Sequence, residues 1–234
     1  MLFDKNDFRR AQTFPLFKYR FLLWICYSFY MFRFTSLPTI FFINILVFGL
    51  WHLLPARFMT DHFLVSWTAL EQGRFWVLLT SVFSHNMLLH FLINMIVLQN
   101  FGGMMERFLG TKRFISFFII AGLISSLCHA SFSNFFMDAP GLPALGASGS
   151  LAGLILLFSL LFPKERLLFF GIIPIPAIFG AFAFIGLDIW GLIAQAQGGG
   201  LPIGHGAHLG GAFTGLIYYI YLKNKSSFSS STLF

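Results

Sequence analysis

Charged residues are scarce in this chain, at 10% of its 234 positions, and cysteine is scarcer, with two. The first shortage excludes a soluble globular domain, in which about a quarter of all residues are charged. The second, with Cys26 and Cys128 far apart, leaves neither a disulfide framework nor a cysteine-based metal site to build on. Acidic residues are fewer than basic ones, eight against fifteen, for a formal net charge of +7. That excess falls between apolar runs, so it reads as a topology signal, with at most contact to acidic lipid headgroups, and implies no nucleic-acid partner. An inverted internal repeat of the transporter kind is also missing, and no separate soluble domain fits on either side of the apolar runs.

What is present is apolar: 57% hydrophobic residues and 19% aromatics, with a mean hydropathy of +0.80. Six apolar runs can be read, near 38–54, 77–105, 114–132, 147–162, 167–196 and 203–222. Their lengths suit helices that cross a bilayer core of about 30 Å. The chain is therefore expected to be an all-α polytopic membrane protein, a bundle of six transmembrane helices. Its expected parts are an N-terminal cytoplasmic or interfacial segment (1–36), a six-span domain (37–222) and a short cytoplasmic tail (223–234). Within the first part, "FLLWICYSFYMF" (21–32) lies between Arg20 and Arg33. Twelve residues are too few to span, so an interfacial helix with snorkelling basic ends is expected there, with a signal anchor or extra span as the alternative.

Basic residues orient the bundle. Lys18, Arg20 and Arg33 precede the first run, Arg107, Lys112 and Arg113 follow the second, Lys164 and Arg166 the fourth, and Lys223 and Lys225 the sixth. The opposite loops hold only Arg57 and Arg74. Both termini are then cytoplasmic.

Polar groups inside such runs are costly and mark function by default. The second run carries His85, His90 and Asn94, the fourth opens with Ser148 and Ser150, and the sixth carries His205 and His208. At 1.5 Å per residue, Ser148 lies about 24 Å from its basic anchor, His208 about 22 Å and Asn94 about 20 Å. They share one layer, in the outer part of the membrane. Glycines at 146, 149 and 153, and at 206, 210, 211 and 215, give smooth faces on which the fourth and sixth helices can approach closely. Simpler readings stand beside this one. Ser148 suits a packing residue and His208 an interhelical hydrogen bond. His85 and His205 suit interfacial or loop-closing roles, and His52, His62 and His129 interfacial or packing ones.

Four stretches then carry a family likeness: "HNMLLHFLIN" (85–94), "FGGMMERFLG" (101–110), "GASG" (146–149) and "GHGAHLGGAFTG" (204–215). In order, spacing and sidedness the chain resembles the six-span bacterial type of rhomboid intramembrane serine protease, over roughly residues 38–222. The resemblance implies Ser148 as nucleophile, His208 as its base, and His90 and Asn94 beside the oxyanion. Two positions depart from the family: Ala152 stands where an aromatic often packs on the histidine, and Trp76-Val77 where Trp-Arg is common.

Peptide hydrolysis needs a nucleophile, a base that is neutral near pH 7 and donors aimed at the developing oxyanion. With Asp138 and Asp188 read as lying nearer loops, no carboxylate is expected beside His208. The expected machine is thus a Ser148–His208 dyad, with the Ser148 backbone N–H, Asn94 and His90 at the oxyanion. No cofactor and no metal is implied. The expected partners are single-span membrane-protein substrates and the bilayer, and the small six-span form points to a bacterial inner membrane. A silent client-binding relative of the family and a histidine-relay transporter are the competing classes. The fifth run, with Pro174, Pro176, Gly180 and Gly186, reads either as a kinked structural span or as a loosely packed gate. If the charge map sets the topology, a reporter fused after Lys225 behaves as cytoplasmic and one fused near Asp138 does not. A cytoplasmic signal at Asp138 would put Ser148 at the wrong face.

Overall fold

A computed structural model describes residues 36–169, 173–201 and 203–231. The expected interfacial helix at 21–32 lies outside the described residues. The chain is a helical membrane bundle. Its elements are α1 (Leu37–Leu53), α2 (Ala56–Phe63), α3 (Trp67–Glu71) and α4 (Val77–Thr80) with a 3-10 turn at Ser81–Phe83. Next come α5 (Leu88–Val97), a π-helical turn at Leu98–Gly102, α6 (Gly103–Leu109), α7 (Thr111–Phe135) and α8 (Ser148–Leu161). A hairpin of β1 (Arg166–Phe169) and β2 (Ile173–Pro176) precedes α9 (Ala177–Ala196) and α10 (His205–Ser231). Among the described residues, Leu88–Leu109, Thr111–Phe135 and Ala177–Ala196 are long and apolar enough to cross a membrane, and Leu37–Leu53 and Ser148–Leu161 are shorter apolar helices.

Local chemistry explains the boundaries, and corrects three of them. The second apolar run is not one helix from 77: residues 84–87 break it, and the membrane-length segment starts at Leu88. The fifth run is not a helix broken by prolines. Pro174 and Pro176 stand in β2, because proline lacks the N–H a helix interior needs and pushes the residue before it toward extended geometry. The helix begins only after them, and runs 20 residues unbroken. The third correction is at the C-terminus, where α10 continues to Ser231, well into the expected tail. At the other end, α1 starts on a proline in its first turn. Its flanking Ser36 N–H donates to both carboxylate oxygens of Glu106, at 2.7 and 2.9 Å, so a buried acid on α6 caps α1.

Helix α8 sits at the centre. Every residue of it except Ser148, Ile155 and Leu160 is buried, as expected for a helix apolar on all sides. It packs with Phe114, Phe118, Leu98 and Met105 in one core. The glycine faces set how α8 meets α10. A Cβ on Gly211 would strike the Gly149 carbonyl, one on Gly215 the Gly153 carbonyl, and one on Gly153 would lie 2.5 Å from the Gly211 oxygen. Contacts therefore advance together along both chains, and the two helices run parallel, backbone on backbone. By contrast, α9 buries only Ala177, Ala181, Asp188 and Gly191, while Phe179, Phe182, Leu187, Trp190 and Ile193 face outward.

Gly211→Ala should therefore force the helices apart and lower stability by about 1–3 kcal/mol, the usual cost of overpacking. Gly186→Ala, on an open stretch of α9 with nothing within 4 Å of the added methyl, should be neutral or slightly stabilising. Thermal unfolding in detergent distinguishes the two.

Candidate active site

The site starts with the loop that delivers Ser148. Ala144 bridges Val65 through a pair of backbone hydrogen bonds of 2.9 and 3.0 Å, and the Gly146 N–H donates to the Ser81 carbonyl at 2.8 Å. One residue on, the Ala147 N–H approaches His85 Nε2 at 3.5 Å. Gly146 has φ +116°, and a Cβ there would lie 2.6 Å from His90 Cε1. Only glycine satisfies both demands. Ser148 thus becomes the first residue of α8, half-buried, with the N–H groups of that first turn lacking helical acceptors. The neighbouring hydroxyl is committed elsewhere: Ser150 Oγ donates to the Phe118 carbonyl at 2.8 Å.

The glycine crossing brings His208 alongside. A Cβ on Gly149 would lie 3.2 Å from the Ala207 carbonyl oxygen, so the residue after Ser148 and the residue before His208 are in contact. Among the described residues no hydrogen bond joins Ser148 Oγ to His208, and such bonds commonly tighten only around a substrate.

The expectation that no carboxylate reaches His208 is overturned. Asp188 is 4% exposed in the middle of α9, and its Oδ1 faces His208 Nδ1 at 3.0 Å and His205 Nδ1 at 2.7 Å. Donation from Nδ1–H to a carboxylate leaves Nε2 as the basic nitrogen, the tautomer that a general base for serine requires. The expected dyad without a carboxylate is therefore corrected: His208 has a buried carboxylate partner. His205 is also relocated. It is not an interfacial loop residue but a buried one, 7% exposed, whose ring fills the notch left by Gly191, where a Cβ would strike it. The aromatic missing at Ala152 is supplied by α9 instead: Phe184 stacks on His208 with ring centroids 5.4 Å apart at 30°.

On α5, His90 is half-buried beside Gly146, and Asn94 is buried with its Nδ2 donating to the His90 carbonyl at 2.9 Å. That uses one of the two amide protons and leaves one to offer. His85, read as near the interface, is fully buried and meets the His90 ring edge-on at 5.1 Å. His129 fastens α7 to the loop before α8 through the Leu142 carbonyl at 3.1 Å. His52 and His62 bond back to the Phe48 and Phe58 carbonyls one turn earlier, as packing residues do. The ligand atoms of Asp188, His205 and His208 all lie within 4.8 Å of one another, a spacing a divalent cation can use. The hydrogen-bond distances already made by Oδ1 are those of an orienting carboxylate.

Asp188 was missed although the signal was there. It is the one ionisable residue in α9, "AIFGAFAFIGLDIWGLIAQA", and an acid within an apolar span has a partner or a task.

A model of the rhomboid domain matches residues 72–225. Among curated proteins the chain is similar to Rhomboid protein 1, mitochondrial, of Saccharomyces cerevisiae, 33% identical over 186 residues, covering 77% of this chain and 51% of that protein. It is similar to RHOMBOID-like protein 12, mitochondrial, of Arabidopsis thaliana, 30% identical over 189 residues, covering 76% and 55%. It is also similar to the Presenilin-associated rhomboid-like protein, mitochondrial, of Homo sapiens, 31% identical over 180 residues, covering 76% and 46%. The chain spans about half the length of these relatives.

Asp188→Asn tests the orienting contact. The comparable exchange in soluble Ser-His-Asp enzymes costs about 10⁴ in kcat with the geometry intact. Labelling of Ser148 by a fluorophosphonate should slow by at least about 10² in the variant, while its thermal unfolding stays close to that of the parent. Unchanged labelling would return Asp188 to a packing role.

Proposed function

The chain belongs to the rhomboid family, and from that premise we propose that it is an intramembrane serine endopeptidase. It would cut single-span membrane proteins within the bilayer. Ser148 is the nucleophile and His208 its base, with Asp188 orienting the base. The observation that supports this reading best is the Asp188–His208 contact at 3.0 Å on a helix whose neighbour opens with Ser148.

The steps follow from the groups. His208 Nε2 takes the proton of Ser148 Oγ as the oxygen attacks the scissile carbonyl, and Asp188 stabilises the imidazolium that forms. The carbonyl oxygen gains charge where the Ser148 backbone N–H, the second proton of the Asn94 amide and His90 converge. His208 then returns its proton to the leaving amine, and water repeats the sequence on the acyl-enzyme. Because a stable helix hides its backbone, the favoured substrate is one whose membrane helix unwinds readily near the outer face. The outward apolar face of α9 is where such a segment would approach.

The chain is a multi-pass integral membrane protein. Its relatives carry mitochondrial names, which argues against the bacterial inner membrane expected from the sequence. The comparisons favour a mitochondrial membrane, with the basic helix ends on the side equivalent to the cytoplasm of bacteria.

Purified full-length protein with a single-span substrate supplies the test. Ser148→Ala should abolish both cleavage and fluorophosphonate labelling, and His208→Ala should suppress both nearly as far, since serine without a base is a poor nucleophile. Asn94→Ala should lower kcat by about 10²–10³ while retaining some labelling, as expected for loss of one oxyanion donor. Cleavage unaffected in Ser148→Ala or His208→Ala would overturn the assignment.

A further inference from the structure

The contact between α7 and α10 changes along its length. The helices are antiparallel and close where glycine faces α7: a Cβ on Gly206 would lie 3.2 Å from Phe132 Cβ, and one on Gly210 would lie 2.6 Å from Cys128 Cβ and 3.2 Å from the Ile124 carbonyl oxygen. Further toward the basic end that face of α10 carries Thr214 and Tyr218, and a groove opens between the helices. Phe117 and Ile120 of α7 form one wall and Thr214 and Tyr218 the other, with Lys112 and Arg113 at the mouth. The walls present little polarity. Thr214 turns its hydroxyl onto the Gly210 carbonyl at 3.0 Å, and the Tyr218 ring packs on Phe117 at 5.3 Å.

We propose that this groove binds one anionic phospholipid, with an acyl chain along Phe117 and Ile120 and the phosphate between Lys112 and Arg113. Three features select that occupant. The groove lies on the outward side of the bundle, where Ile120 is 49% exposed, so acyl chains reach it without crossing protein. Its mouth lies at the end of the bundle where the charge map puts most of the basic residues, Arg57 and Arg74 standing at the other, and basic pockets between membrane helices on that face suit anionic headgroups. Its polarity is divided, cationic at one end and apolar below, which matches a phosphate with a chain attached and matches neither a free phosphate nor a neutral hydrocarbon. Lys225 does not line the groove; its Nζ sits 5.8 Å over the Tyr221 ring. The bound lipid would brace α7 against α10, the helix that carries His205 and His208.

Native mass spectrometry of the full chain in detergent tests the proposal, with phosphatidylglycerol as the anionic probe and phosphatidylcholine as the neutral one. The parent should retain the anionic lipid in preference. Lys112→Gln with Arg113→Gln should weaken that retention by about thirtyfold, the product expected from two basic residues near a headgroup. Lys223→Gln with Lys225→Gln removes equal charge outside the groove and should leave retention within about threefold. Ser116→Trp, which fills the groove's edge without changing charge, should lose the lipid as the mouth variant does, and circular dichroism shows whether it has folded. Equal losses in the two charge variants would mean a general surface attraction and overturn the proposal. So would full retention by folded Ser116→Trp, or displacement of the lipid by millimolar inorganic phosphate. Should Ser116→Trp fail to fold, the two charge variants decide alone.

Discussion

A carboxylate in the middle of a membrane helix must find donors, and most of the site follows from how Asp188 finds them. Hydrocarbon offers no water to an unpaired acid, and a buried ionised group without partners costs several kcal/mol. The donors are two imidazoles one turn apart on α10. Helix α9 must therefore lie against α10 at that level and in that rotation, although it buries little else. Gly191 is part of the same requirement, since any larger residue would displace the His205 ring that completes the pair. Removing either histidine leaves Asp188 with one donor instead of two, so His205 acts on His208 through the oxygen they share.

This gives α9 two obligations that pull against each other. Its outward face, with Phe179, Phe182, Trp190 and Ile193, contributes no core packing and is free to part from its surroundings. Its inward stripe holds both partners of His208, Asp188 and Phe184. A hydrogen bond to a charged group contributes about 1.5–3 kcal/mol. A displacement of α9 large enough to break the Asp188 contact would also release His208. The choice between gate and structural span posed by the sequence is thus too simple, because one helix carries the exposed flank and the orienting acid.

The sequence was legible where periodicity and cost of burial speak alone. Helices α1, α7, α8 and α10 begin within a few residues of the expected runs, and Ser148 and His208 come to one level because counting residues from basic anchors measures depth. The glycine faces were readable for the same reason, as small residues at fourfold spacing have few uses in lipid. What could not be read was rotation. Counting places Asp188 along a helix but does not say which neighbour it faces. His85 takes the loop-closing role that the sequence allowed, with the loop through Gly146 and Ala147 folded over it and removing it from solvent.

The ring that stacks on His208 comes from α9 and not from position 152 of α8. Backbone touches backbone at Gly149 with Gly211 and at Gly153 with Gly215, and Ala152 lies one residue from Gly153 and three from Gly149, bordering the same face of α8. It is 1% exposed. With alanine at that position, the stacking partner comes from another direction. Phe184 stands four residues before Asp188, one turn along the same face of α9, so the helix that supplies the acid supplies the ring as well. With the ring and the carboxylate both on α9, the orientation of His208 depends on the docking of α9, and the α8–α10 crossing sets how closely Ser148 and His208 approach.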